Sequence, residues 1–196
     1  MKKILLFLTL MCSMGVFAQM DRVEDPHLAF KGVPINGTLQ EYVQKMKQKG
    51  FDYVGTEDGI AILTGDFAGY KGCTVGVSTL KQKDLVSKII VLFPDKNTWS
   101  GLSNDYFNLK DMLTEKYGKP AYVTEKFQGY SEPRDDKSRI YELGMDRCKY
   151  ITTFETPKGD IQLSIAHDGV LKYFVQLLYF DKTNSEIIRS EAMDDL

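Results

Sequence analysis

The chain is poor in the residues that carry most enzymatic chemistry. It holds two histidines, His27 and His167, one tryptophan and three cysteines. Zinc is usually bound by clustered His and Cys, and neither a C-x-x-C nor an H-x-x-x-H spacing occurs. No Gly-x-Ser-x-Gly turn offers a hydrolase nucleophile. Ser164 precedes His167 by three residues and reads as a strand residue, while a Cys–His pair built from Cys73 or Cys148 with His167 is a minor reading. The acidic pairs Asp135-Asp136 and Asp194-Asp195 lack the alternating ligands and central glycine of a calcium loop. Gly65, Gly69, Gly72 and Gly76 open no helix, so a phosphate-cradling loop is not supported. These absences leave no catalytic residue, metal or cofactor to assign.

A strong excess of charge of one sign is also missing. Residues 1–18 contain Lys2 and Lys3, then an uncharged stretch from Ile4 to Phe17, then Val16-Phe17-Ala18 before Gln19. That is the tripartite pattern of a signal peptide, and its apolar run is shorter than the roughly 20 residues of a membrane-spanning helix. A bulky Met11 before Cys12 argues against a lipoprotein cut. Cleavage after Ala18 leaves 178 of the 196 residues. Removing Lys2 and Lys3 from the 25 basic residues leaves 23 against 27 acids, a net charge of −4. A mixed, mildly acidic surface offers no basic footprint for nucleic acid, and no integral membrane segment remains after cleavage. The expected destination is the periplasm or the exterior. In an oxidising compartment Cys73 and Cys148 have two readings, a bridge or two buried thiols.

What is abundant is pattern. Residues 19–37 read as a polar start followed by an extended lead-in ending at Gly32-Val33-Pro34. Thr38 with Glu41 three residues on forms a capping box, and Leu39, Tyr42, Val43 and Met46 make one apolar helical face ended by Gly50. Four strands follow, over 51–54, 60–67, 71–80 and 85–93, with connections so short that they must run antiparallel. A second helix is marked by Trp99, Leu102, Tyr106, Leu109 and Leu113 and stopped by Gly118. Strands over 149–156, 160–166 and 171–180 and a terminal helix come after it.

The halves echo one another. Lys49-Gly50-Phe51-Asp52-Tyr53-Val54 returns as Tyr117-Gly118-Lys119-Pro120-Ala121-Tyr122-Val123, and Val91-Leu92-Phe93-Pro94-Asp95-Lys96-Asn97 as Leu178-Tyr179-Phe180-Asp181-Lys182-Thr183-Asn184. The offsets, 69 and 87 residues, differ by 18, and the polar stretch 129–137 with a short helix near 138–143 supplies them. The pattern predicts an α+β fold of two tandem helix-plus-antiparallel-sheet units packed as one domain, with helices on one face of the sheet. The first unit spans 38–97 and the second 98–196, which includes the 129–137 loop.

Three segments carry a resemblance. Residues Phe30 to Thr38 (FKGVPINGT), Leu63 to Cys73 (LTGDFAGYKGC) and Leu113 to Pro120 (LTEKYGKP) resemble small exported proteins of Bacteroides-type gut bacteria, a group with no assigned activity. The tandem arrangement is similar to β-lactamase-inhibitor-protein-like folds, in which two such units form a concave sheet surface. The resemblance implies architecture and carries no binding residue onto this chain.

Aromatics are the enriched resource, with eleven Tyr and eleven Phe. Phe107 falls off the apolar stripe of its helix, Tyr70 sits at a hairpin tip, and Tyr130 and Arg134 lie in the 129–137 loop; such residues anchor protein interfaces. The last strand is apolar on both faces, Tyr173, Val175, Leu177 and Tyr179 on one and Phe174, Leu178 and Phe180 on the other. A sheet with helices on one side needs a cover for such a second face. The expectation is therefore a non-enzymatic module that binds a protein or peptide of the cell envelope, through that face and the 129–137 loop. The alternative is a hydrolase whose carboxylates are brought together by the fold; a third reading has sheet edges pairing with copies of the chain.

Overall fold

The computed structural model describes residues 25–80, 83–129, 132–169 and 172–194. The expected signal peptide and Tyr130 lie outside them. The chain opens with a hairpin of β1 (Ala29–Phe30) and β2 (Val33–Pro34), then runs through α1 (Leu39–Gln48), β3 (Asp52–Glu57), β4 (Ile60–Phe67), β5 (Tyr70–Leu80) and β6 (Lys83–Leu92). The second half holds α2 (Trp99–Tyr117), β7 (Tyr122–Phe127), α3 (Asp136–Gly144), β8 (Cys148–Thr156), β9 (Gly159–Asp168), β10 (Lys172–Asp181) and α4 (Lys182–Asp194).

Strands β3 to β10 form one antiparallel sheet of eight in the order β3-β4-β5-β6-β10-β9-β8-β7. The architecture is α+β: each half contributes four strands in sequence order, and the halves join where β6 pairs with β10. The strand that is apolar on both faces therefore lies at the centre of the sheet. The register explains the two faces. One cross-strand row runs Tyr53, Leu63, Val75, Val91, Leu177, Leu163, Thr152, Val123 through all eight strands. Six of these, from Leu63 to Thr152, are buried. The neighbouring row, Ile62, Gly76, Ile90, Leu178, Gln162, Thr153, Tyr122, points to the opposite side because successive strand residues alternate.

The helices cover the first of these faces. The Thr38–Glu41 capping box forms, and α1 buries Tyr42, Val43 and Met46. All five stripe residues of α2 are buried. The Tyr106 hydroxyl shares a hydrogen bond with Thr152 at 2.5 Å and donates to Glu125 Oε1 at 3.2 Å, fastening α2 to β7 and β8. Helix α3 packs against α2, β8 and β9, and its Gly144 lies against Tyr173 on the same face. Helix α4 crosses the end of the sheet. Its Asn184 amide donates to the carbonyls of Val86, at 2.8 Å, and Ile35, at 3.0 Å, and Glu191 pairs with Lys83.

The N-terminal segment departs from the extended lead-in read from the sequence. Lys31 and Gly32 both have positive φ, 52° and 74°, the backbone of a two-residue hairpin turn, and Ile35 N–H donates to the Leu28 carbonyl at 2.8 Å to close the hairpin. Leu28, Phe30, Val33 and Ile35 are all buried. The Phe30 ring sits 4.9 Å from Phe67, 5.5 Å from Tyr179 and 6.0 Å from Phe51. Nor is His27 loose: its Nδ1 lies 3.0 Å from Asp181 Oδ2.

Candidate functional site

The second face of the sheet is the one large surface that no described helix covers. Its centre is apolar and half-buried: Ile62 on β4, Ile90 and Leu92 on β6, and Leu178 and Phe180 on β10. Around them stand Thr64, Thr74, Gln176, Gln162 and Thr153, uncharged side chains that donate and accept hydrogen bonds. Lys88 lies over the Phe180 ring, 5.2 Å from its centroid. At one end the face deepens into a hollow of about 560 Å³ lined by Ile90, Leu92, Phe174, Gln176 and Lys172, with Asp95 and Asp168 also on its wall. An antiparallel sheet with one solvated face normally alternates apolar and polar residues; β10 does not.

Of the four interface residues expected from sequence, Tyr130 lies outside the described residues and the other three do not lie on this face. Tyr70 is half-buried on the helix side, its ring 5.0 Å from Phe93 and its hydroxyl donating to Asp105 Oδ1 at 3.3 Å. Lys96 Nζ approaches Asp105 Oδ2 at 3.0 Å, an ion pair outside hydrogen-bond geometry. Burial, then the Asp105 charge, raises the Tyr70 phenol above its ordinary pKa. Tyr70 thus ties the β4–β5 hairpin to α2 rather than presenting a free anchor. Phe107 is 40 % exposed but stands on the other flank of α2, 5.3 Å from Tyr106 and 6.4 Å from Tyr150. Arg134 is exposed and lines a separate hollow of about 760 Å³ with Glu132, Asp135, Glu142 and Arg147. That hollow shares no lining residue with the one on the open face, so the two are separate hollows.

Of the two readings of Cys73 and Cys148, the bridge does not form. Cys73 and Cys148 are free thiols. They lie on β5 and β8 with three strands between them, about 19 Å along the sheet at ~4.8 Å per strand, whereas a bridge needs Cα atoms within about 7 Å. Burial pushes the Cys148 thiol up to about 12, with the Glu142 charge adding to it, and raises Cys73 as well. The imidazole nitrogens of His167 meet Asp146 and the Gly169 carbonyl rather than either thiol, so the Cys–His pair is not formed. Among the described residues no group of three or more His, Cys, Asp or Glu could hold a metal ion.

His167 has a structural task. Its Nε2 lies 3.0 Å from Asp146 Oδ1 and its Nδ1 2.7 Å from the Gly169 carbonyl oxygen. Both nitrogens face oxygens, so the imidazolium can donate twice. The Asp146 bond, then the Gly169 carbonyl, raises the pKa above 6.5, with Asp168 adding a smaller attraction. A raised folded-state value stabilises the fold fully below the ordinary histidine pKa and loses that contribution as pH climbs through the folded value. Urea midpoints are therefore expected to fall between about pH 6 and about pH 8.5, and His167→Gln to shrink that difference. An unchanged pH dependence in the variant would show that the pair contributes nothing.

No helix among the described residues is long and apolar enough to cross a membrane. The chain matches no family model, no curated protein and no solved structure.

Proposed function

We propose that the chain is an exported binding module that takes a protein partner of the cell envelope on the open face of its sheet. The observation that carries this reading is the central strand β10. Its Phe174, Leu178 and Phe180 point to the side where no described helix packs, beside Ile90 and Leu92 of β6. Contiguous apolar surface rimmed by polar groups is the usual mark of a protein interaction site. The Thr and Gln side chains beside the apolar centre suit backbone and side-chain hydrogen bonds of a polypeptide. Export is supported by the pattern of residues 1–18, and the mixed surface charge sets no demand for an anionic polymer.

The test is capture from a cell-envelope extract, comparing the wild-type chain with Ile90→Lys/Leu178→Lys. Both residues are half-buried on the open side, so the variant should keep its circular dichroism. A partner retained by the wild type is expected to bind at least about tenfold more weakly to the variant, the scale of a central interface residue. Equal capture by both chains would remove the open face from the interface. The one observation favouring the hydrolase alternative is that Asp95 and Asp168 share a hollow. An activity abolished by Asp95→Asn or Asp168→Asn would put that reading in place of this one.

A further inference from the structure

The two halves of the sheet end in strands at matching positions, β3 and β7, yet the edges are built differently. Pairing of β3 with β4 shifts register between Tyr53 and Gly55, leaving Val54 as an extra residue. Such a bulge discourages another strand from adding to an edge. Strand β7 has no such interruption. All six residues from Tyr122 to Phe127 pair with β8 in one register, and none is proline. The ladder continues at Gln128, whose N–H donates to the Arg147 carbonyl at 2.8 Å. Hydrogen-bonded pairs alternate along an antiparallel strand, so that bond turns the N–H and C=O groups of Val123, Glu125 and Phe127 outward. Large apolar side chains stand at the same edge: Tyr122 is 52 % and Val123 41 % exposed. Phe107 flanks it, beside Lys110, which donates to Glu125 at 2.6 Å.

The geometry points to an interface between two copies of this chain, made by antiparallel pairing of β7 with β7 about a two-fold axis perpendicular to the sheet. The symmetry requires each contact to be repeated in reverse, and charge then selects the register. Centring the axis on Glu125 sets two carboxylates opposite each other, and centring it on Lys126 sets two ammonium groups opposite; like charges so placed are destabilising. Centring it on Val123 would call on the outward groups of Ala121, whose N–H is already bonded to the Thr153 carbonyl at 2.9 Å. The axis through Thr124 opposes no like charges and meets Ala121 only at the end of the ladder, opposite Phe127, outside its central pairs. Thr124 then faces its copy, Val123 faces Glu125 with both outward groups of each satisfied, and Tyr122 faces Lys126. Within the chain Lys126 is opposite Lys149, so a tyrosine ring on its free side is a favourable neighbour for the ammonium.

Sedimentation velocity of the chain, expressed from Met1 and purified as the host delivers it, tests this between about 1 and about 100 µM. The expected result is a concentration-dependent dimer. Tyr122→Lys places two ammonium groups opposite each other and should weaken association at least about tenfold without changing circular dichroism, since Tyr122 is exposed. Adding Lys126→Glu to that variant should restore the dimer, because the new lysine then faces a carboxylate. Val123→Pro removes one outward N–H and should also weaken the dimer, so the outcome does not hang on one variant. Monomer mass throughout the range would overturn the inference. So would a dimer indifferent to Tyr122→Lys, or one lost in Ile90→Lys/Leu178→Lys, which leaves this edge intact.

Discussion

Replacing Phe30 by alanine is expected to destabilise the protein by about 3–5 kcal/mol, although Phe30 lies on a two-residue strand near the start of the described chain. At about 2–4 °C per kcal/mol for a chain of this size, the melting temperature should fall by roughly 6–20 °C. The reason is packing. Phe30 is 1 % exposed, and its ring is held among Phe51, Phe67 and Tyr179, which come from the residue just before β3, the end of β4 and the central strand β10. Truncation removes apolar burial and leaves a cavity that three rings held by separate strands cannot easily close. Leu28, Val33 and Ile35 enter the core with Phe30, so loosening the hairpin exposes them as well. Thermal melting measures the effect. A loss under about 1 kcal/mol would mean that the hairpin is an ornament on a core complete without it.

Asp181→Ala should cost a similar amount, about 3–5 kcal/mol, by a different route. The carboxylate is fully buried. It accepts from Leu28 N–H at 2.7 Å and Asn184 N–H at 2.9 Å, and His27 Nδ1 lies 3.0 Å away. One side chain therefore caps α4 and pins the chain just ahead of the β1–β2 hairpin. Alanine leaves two buried N–H groups without an acceptor, at about 1–3 kcal/mol each, and removes a helix cap worth about 0.5–2 kcal/mol. Asp181→Asn keeps the shape but turns an amide donor toward groups that are themselves donors, so it should recover only part of the loss. Hydrogen exchange at Leu28 is the specific readout, since it should accelerate in both variants. Combined with Phe30→Ala, the cost should fall short of additive by at least about 1 kcal/mol, because each substitution frees the same hairpin. Strict additivity would show that the hairpin is held at two independent points.

Much of the fold was legible in the residues. The capping box at Thr38 and Glu41, the five-residue stripe of α2 and the β-branched runs are local signals, because helix and strand periodicity depends on neighbours three, four or two positions away. The turn at Asp58-Gly59 carries positive φ at both positions, and its glycine marks it; the turn at Ala68-Gly69 has the same backbone and makes Tyr70 the first residue of β5 instead of the hairpin tip. The hairpin at Lys31-Gly32 obeys the same rule but leaves little local signal, because its strands are two residues long and Gly32-Val33-Pro34 reads as extended chain. The doubly apolar β10 was also legible, and with it the open face. Tyr70, by contrast, could not be read correctly from its place beside a hairpin turn. Its partners Phe93 and Asp105 lie 23 and 35 residues away, and only the folding of α2 over the sheet brings them together.

The sequence by itself determined the helices, the strands β3 to β6 and β8 to β10, the two-unit plan and which strand is apolar on both faces, since each of these follows from local period and connection length. Tertiary structure alone decided that β6 joins β10, that Cys73 and Cys148 are held apart, that Phe107 belongs beside an edge and Arg134 beside a separate hollow, and that β3 is bulged while β7 is regular. The physical reason is the same in each case. Strand order and register are set by which side chains pack across distant segments, and no periodicity within one segment records its partner.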